Sequence, residues 1–475
     1  MRFPVLAVAA LSVALVPVAV SAQALADKPL ANQVVDSIDP TLKASIDRIA
    51  AQVLEQTGVP SASIAVVQHG KLVYTHGYGL ARLNPRTPVT PAMRYSIGSI
   101  SKQFTAAALL MLQQEGKLKL DDPVGKYVPG LTQGDKITIR QILSHTSGYQ
   151  DYWPEDYVMT PMLHPETAEQ IIDTWGKKAL DFEPGTQWQY SNTNFVIAGR
   201  VVEAVTHKPF IDLLVERIFR PLGMTSVWNS DEVKLTATDA TPYYRHALGP
   251  LRPAPKEGRG WMFAAGELAM TPHDLALWDA SLIAQSLLKP ESYKEFFTEV
   301  KLNDGKGTSY GLGVDVTTRN GHRSIEHGGE VSGFVSDNVV LVDDGAAIVV
   351  LTNQDAHSAA STIARLAAPL IANLPSSPEE TQALDLFHSL QQGKIDRALL
   401  APNLNDYFTE EALQDYKLSL APLGEPLSLR QTSKSERGGM TFRSFDIQFP
   451  GKRLHLSTFT YPDGKLEQYL IAPVQ

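Results

Sequence analysis

Ser99-Ile100-Ser101-Lys102 stands directly ahead of the apolar run "QFTAAALLML". Residues three apart on a helix are neighbours, so the Lys102 amine can reach the Ser99 hydroxyl. An amine held in a partly desolvated site loses basicity and can take a hydroxyl proton. Backbone N–H groups at the helix start favour a nearby negative charge such as a developing oxyanion. The same spacing equally describes a serine that caps a helix beside a solvated lysine. The pattern occurs a second time at Ser286-Leu287-Leu288-Lys289, where Pro290 follows at once and ends a helix. Only the first pair opens a central apolar helix.

Two further groups carry candidate chemistry. Tyr190-Ser191-Asn192 lies between Pro184-Gly185 and a helical stretch. A tyrosine can exchange protons with a nucleophile or leaving group if a nearby cation lowers its normal pKa of about 10. An asparagine offers donor and acceptor to an amide or ester. The tripeptide is also an ordinary loop and helix cap. His327-Gly328-Gly329 ends a strand and is followed by Glu330. Paired glycines let another group approach the backbone, and an edge strand can offer an N–H to an oxyanion; a tight turn is the plain alternative.

The elements that must position these residues follow from periodicity. Ala31 to Thr57 has helical spacing, and two β-rich runs then flank His69-Gly70 as a hairpin. An apolar helix is predicted from Ser99 to about Glu115, with helical and loop segments dominating to about Lys289. Strands then take over in "SYGLGVDVTT", "RSIEHGG" and "VSGFVSDNVVLVDDGAAIVVLTNQD", turning at Asp343-Asp344-Gly345, and a helix from Ser358 to Ile371 closes the region. Strands first and last with helices between predict an α/β (α+β) unit, 31–374, whose sheet is assembled from distant parts of the chain. Composition shifts to Pro, Ser and Glu near Pro375 to Pro378, and a small α+β unit, 378–475, is expected beyond it. It reads as a helix from about Glu379 to Leu400 and then alternating strands with a turn at Asp463-Gly464.

The totals narrow the function. A chain of 475 residues, 43% hydrophobic and 20% charged, is globular and long enough for two or three domains. Its net charge is -9 with scattered lysines and arginines, which excludes the basic stripe of a nucleic-acid binder. Arg2, the uncharged run Phe3 to about Val20 and Ser21-Ala22-Gln23-Ala24 read as an export signal, 1–24, cleaved after Ala24 or after Ala22, with a retained membrane anchor as the plain alternative; the expected location is the periplasm or outside the cell, with no membrane span after cleavage. The chain has no Cys, so disulfides, cysteine metal sites and a cysteine nucleophile are excluded. No G-x-S-x-G elbow and no P-loop occur.

Taken in order, S-x-x-K, Y-S-N and H-G-G resemble the signature of the serine β-lactamase and penicillin-binding protein superfamily. The wider text is similar to the class C β-lactamase-related branch of serine hydrolases, with its D-aminopeptidases, D-Ala-D-Ala carboxypeptidases and esterases. "GSISKQFTAAALLMLQQEGKLKLDDPVGKYVP", "ITIRQILSHTSG", "PGTQWQYSNTNF", "PLGMTSVW", "AAGELAMTPHDLALW" and "YGLGV" carry that likeness from about Ile46 to Leu370. The resemblance implies Ser99 as acylated nucleophile, Lys102 as its activating partner and Tyr190 as proton shuttle in deacylation. It further implies that Asn192 holds the acyl amide, that His327 and Gly329 wall the site, and that the N–H groups of Ser99 and Glu330 form the oxyanion hole, with no metal or cofactor.

The expected partner is a small-molecule or peptide substrate: an ester or amide, a D-amino-acid peptide among them. The alternative is a catalytically weak penicillin-binding or regulatory protein on the same fold. His327 stands where β-lactamases have Lys, so a fixed charge for a substrate carboxylate is missing; Arg259 and Arg323 are candidates to replace it. The loop "GYQDYWPEDYVM" is a candidate cleft lining, and the C-terminal unit vaguely resembles nuclear transport factor 2-like domains.

Overall fold

The computed structural model describes residues 34–474 except 233, 320–321, 375–376 and 450–451. The expected export signal lies outside the described residues. Strands β1 (Ser61–Gln68) and β2 (Lys71–Arg82) turn through His69-Gly70, both with positive φ, as a tight hairpin requires. From the far end of the region come β3 (Asp315–Arg319), β4 (His322–Val331), β5 (Phe334–Leu341) and β6 (Ala346–Thr352). They form one seven-stranded antiparallel sheet in the order Thr87–Pro88, β2, β1, β6, β5, β4, β3. At its centre β1 pairs with β6, from Ala62 opposite Thr352 to Val67 opposite Ala347.

Both faces of this sheet are covered. Side chains alternate along a strand, so Ile64, Val66, Ile348 and Val350 meet α1 (Pro40–Thr57) and, later in the chain, a helix over Ala359–Ile371. Ala65, Val67, Val349 and Leu351 meet the helical layer on the other side. That layer contains α2 (Ser101–Gln114), α3 (Asn192–Thr206) and α4 (Pro272–Ala284); the closing helix Ala359–Ile371 is α5. Every residue of α2 from Ser101 to Leu112 is buried.

Three boundaries differ from the sequence reading. Helix α1 begins at Pro40, not Ala31, because the Asp39 side chain accepts from Thr41 N and Leu42 N and starts the helix there. The residues just before it run along β2 instead, through Ser37 N to Val73 O at 2.8 Å and Thr75 N to Val35 O at 2.8 Å. Ser99 lies in a 3₁₀ turn, Gly98–Ile100, ahead of α2 rather than on it. The helix expected from Glu379 to Leu400 is α6 (Pro378–Gln391); the chain leaves it at Gly393, φ 73°, and two further helices, Pro402–Tyr407 and α7 (Glu410–Leu420), precede the strands.

Those strands are β7 (Ser428–Arg437), β8 (Met440–Phe449), β9 (Lys452–Thr460) and β10 (Leu466–Pro473), an antiparallel meander in chain order. Phe445, Ile447, Leu456 and Tyr469 pack against Phe387 and Leu390 of α6 in a core of their own. Leu427 joins the cluster of α1 and α5, which attaches this unit to the back of the large sheet. Among the described residues no helix is long and apolar enough to cross a membrane.

Candidate active site

The turn Gly98–Ile100 delivers Ser99 to the base of a cleft of about 1260 Å³. Lys102 Nζ lies 2.9 Å from Ser99 Oγ, 2.8 Å from Asn192 Oδ1 and 2.8 Å from the Ala265 carbonyl oxygen. Its side chain is wholly buried. Burial removes the water that stabilises an ammonium, and the nearby Asp151 carboxylate opposes this only in part, so the amine's pKa falls to about 7. The second S-x-x-K pair has no such setting: Ser286 lies beyond the end of α4, and Ser286 and Lys289 are both exposed.

The Tyr190 hydroxyl faces Ser99, close enough for the serine to favour its ionised form, and Lys102 Nζ sits 5.0 Å from its ring centroid. The sequence reading needed a cation to lower the tyrosine pKa. Desolvation instead drives it up, outweighing the effect of Ser99, so Tyr190 is a neutral hydroxyl. Asn192 is the first residue of α3; its Nδ2 faces Asp151 Oδ2 at 3.3 Å and the Trp153 carbonyl oxygen at 3.4 Å. Asp151 Oδ1 also accepts Asn192 N at 2.9 Å and Trp153 N at 3.1 Å. Its carboxyl is nevertheless pushed up by burial.

The opposite wall is β4. Strand β3 pairs with it only as far as Glu326, opposite Asp315, so from His327 onward its edge faces the Ser99 turn. The approach is close: a Cβ on Gly329 would lie 2.0 Å from the Ile97 carbonyl oxygen, and one on Gly98, φ 51°, would lie 2.8 Å from Glu330 N. Glu330 turns its side chain along the rim, where Oε1 accepts Ala356 N at 2.6 Å. His327 is buried, with Nδ1 2.5 Å from the Gly328 carbonyl oxygen and Nε2 2.8 Å from the Tyr310 hydroxyl. A carbonyl only accepts, so Nδ1 carries the proton and Nε2 accepts from Tyr310. Burial, reinforced by Lys102, lowers the His327 pKa to about 4. This imidazole is neutral, and both its nitrogens are taken by the protein.

The loop after Gly148 lines the cleft with Tyr152, Trp153, Tyr157 and Val158. Neither arginine expected to meet a carboxylate is there: Arg259 pairs with Glu232 at 3.4 Å and Arg323 with Asp343 at 3.1 Å, both outside the lining. The lining does include Arg245, which sequence reasoning missed, beside the acidic Asp151, Glu155, Asp156, Glu330, Asp337 and Asp355. His145, Asp151 and Tyr310 were missed as well. Their stretches, "SHTSGYQD" and "SYGLGV", stood out as text but gave no sign of their partners, which lie far away in the chain.

Comparison with known proteins bears on the family and the fold. The Beta-lactamase family profile matches residues 46–371, well over half of the chain. A D-aminopeptidase of Gluconobacter oxydans is 28% identical over 357 residues, which cover 73% of this chain and 64% of the relative, less than two thirds of its length. Among solved structures, a D-stereospecific amidohydrolase from Streptomyces is 29% identical with a TM-score of 0.59, covering 68% of this chain and 97% of that one. The octameric penicillin-binding protein homologue from Pyrococcus abyssi, 21% identical, shares the fold over 90% of this chain and 99% of its own, with a TM-score of 0.63. Fold, motif order and the matched residues together show that the chain belongs to the beta-lactamase family.

Proposed function

We propose that this protein is a serine hydrolase that opens an amide or ester through an acyl intermediate on Ser99. The reading rests on one observation above the rest: a buried amine of pKa about 7 in hydrogen-bond contact with a serine hydroxyl. At neutral pH a large fraction of Lys102 is the free base and accepts the Ser99 proton as Oγ attacks the carbonyl. The N–H groups of Ser99 and Glu330 serve the oxyanion. Tyr190, neutral and facing Ser99, passes a proton to the leaving group and regains one from Lys102. Water then attacks the acyl ester by the reverse route, and Asn192 orients the acyl part.

The acidic rim and the neutral His327 favour substrates that are uncharged or cationic near the scissile bond, D-amino-acid amides and peptides among them. The lining sets six carboxyl groups against the single Arg245, so a carboxylate beside the leaving group enters a cleft of like charge, and a cephalosporin should turn over at least ~100-fold more slowly than a short ester. A panel of short esters, D-amino-acid amides and a chromogenic cephalosporin reads this directly; equal rates overturn the charge argument. A fluorophosphonate should label the wild type and leave Ser99→Ala unlabelled, and equal labelling would sink the hydrolase reading.

The sealed nitrogens of His327 favour one second reading, a receptor that acylates and holds its ligand. Labelling at Ser99 without measurable turnover of any ester would support it. The N-terminal run Phe3 to Val20 supports export; cell fractionation with the mass of the mature protein tests it, and an uncleaved cytoplasmic chain would refute it.

A further inference from the structure

The Tyr190-Ser191-Asn192 stretch leads into α3, and the first N–H groups of a helix need acceptors from outside it. Ser191, at the cap position, supplies none, and its Oγ is buried without a partner. The acceptors come from residues 145–151 instead. His145 Nδ1 takes the Ser191 N–H at 3.2 Å, and Asp151 Oδ1 takes the Asn192 N–H at 2.9 Å. Ser147 Oγ donates to Asn194 Oδ1 at 2.6 Å, and the Thr193 hydroxyl to the Gln150 carbonyl at 2.6 Å.

His145 does more than accept. Its ring lies against the Tyr190 ring, centroids 4.2 Å apart and planes 35° from parallel, with Tyr310 and Phe195 around it at 4.9 and 5.3 Å. Its carbonyl accepts Gln189 N at 3.0 Å, and its own backbone is held at φ 57°, in the left-handed region. Because Nδ1 accepts, the ring proton is on Nε2, and that atom is buried with no polar partner. A buried Nε2–H without a partner costs desolvation, which the contacts of the other nitrogen and of the ring face must offset. What they touch is the turn that carries Tyr190 onto Ser99 and Asn192 Oδ1 onto Lys102 Nζ at 2.8 Å.

We propose that His145 is a positioning residue for acyl-enzyme turnover, whose Nδ1 lone pair and ring face fix the Tyr190-Ser191-Asn192 turn so that the Tyr190 hydroxyl stays on Ser99. It does not line the cleft; besides that turn, its Nδ1 also faces Asn194 Nδ2 at 3.4 Å and its ring faces Tyr310. The inference rests on the serine-hydrolase reading above.

Three substitutions separate the two contributions. His145→Asn puts an acceptor oxygen where Nδ1 was, His145→Gln puts it where Nε2 was, and His145→Phe keeps a ring without an acceptor. Each is compared with the wild type for fluorophosphonate labelling rate, kcat and KM on a p-nitrophenyl ester, and thermal midpoint. A misplacement on the scale of 1 Å costs ~100-fold in rate. The Gln and Phe variants should therefore lose ~10- to 100-fold in kcat, with KM falling alongside and a burst appearing as the acyl-enzyme accumulates, while Asn recovers at least ~5-fold over Gln.

A packing role alone predicts losses that track the thermal midpoint, with no KM split and no advantage of Asn over Gln; that result overturns the proposal, as does activity within ~3-fold of wild type in all three. If Gln and Phe fail to fold, the Asn variant decides: kcat within ~10-fold of wild type supports the proposal, and a folded Asn variant that has lost over ~100-fold refutes it. A wild type that neither labels at Ser99 nor turns over removes the hydrolase reading and this role with it. A labelled, active wild type with indifferent variants removes this role alone.

Discussion

Lys102 is the residue on which pH dependence turns. In the proposed mechanism its amine must be neutral to take the Ser99 proton, and its pKa is lowered to about 7 by burial. The protonated form is inactive, so kcat/KM should rise with pH through an acid limb centred near 7 in a pH–rate profile. The Asp151 carboxylate raises that value, so Asp151→Asn should move the limb to lower pH; a limb that moves upward or stays fixed refutes the coupling. His327, already neutral above about 4, should leave the limb in place when replaced by Gln. At this scale the proximity of Ser99 and Lys102 was legible because it is a local i, i+3 relation. The direction of the Tyr190 shift was not, since it depends on how much water the folded cleft leaves around one hydroxyl. Asp151 was passed over for the same kind of reason: its bonds to Asn192 span 41 positions of sequence.

The strand β4 and the turn before α2 are close enough that a single methyl decides their fit. Gly329→Ala would set its Cβ 2.0 Å from the Ile97 carbonyl, whereas the nearest atom to a Cβ on Gly328 is 3.8 Å away. Overpacking of this kind costs ~1–3 kcal/mol and pushes the strand back, and kcat/KM should fall ~100-fold or more in the first variant. The Gly328→Ala variant should keep activity within ~5-fold in the same assay, because ordinary contact needs no retreat. Element types were readable from periodicity, and β6 stood out because burial on both faces makes it continuously apolar. Boundaries were less so. Asp39 ahead of Pro40 signalled the start of α1, but the spacing of Ile46, Ile49, Val53 and Leu54 was extended back past it to Ala31, and Gly393 broke a pattern that otherwise ran on toward Leu400.

Across the whole molecule, chemistry and the C-terminal unit are kept apart. No described residue from 378 onward lines the cleft, and the unit has its own core around Phe445. Phe445→Ala should destabilise that core by ~3–5 kcal/mol while kcat/KM on a short ester stays within ~2-fold; calorimetry beside the ester assay checks both, and a parallel loss of activity would show coupling through the sheet. The strands of this unit were legible from alternation and the Asp463-Gly464 turn, and its extra helices were hidden in short stretches capped by Thr409 and opened by Pro402.

The pairing of β1 with β6 sets a timetable on the ribosome. The central pairing of the sheet cannot form until Thr352 has emerged to meet Ala62. Until then α1 can cover Ile64 and Val66, but the opposite face of β1, Ala65 and Val67, lacks its neighbouring strand and stays open to chaperones and to aggregation alike.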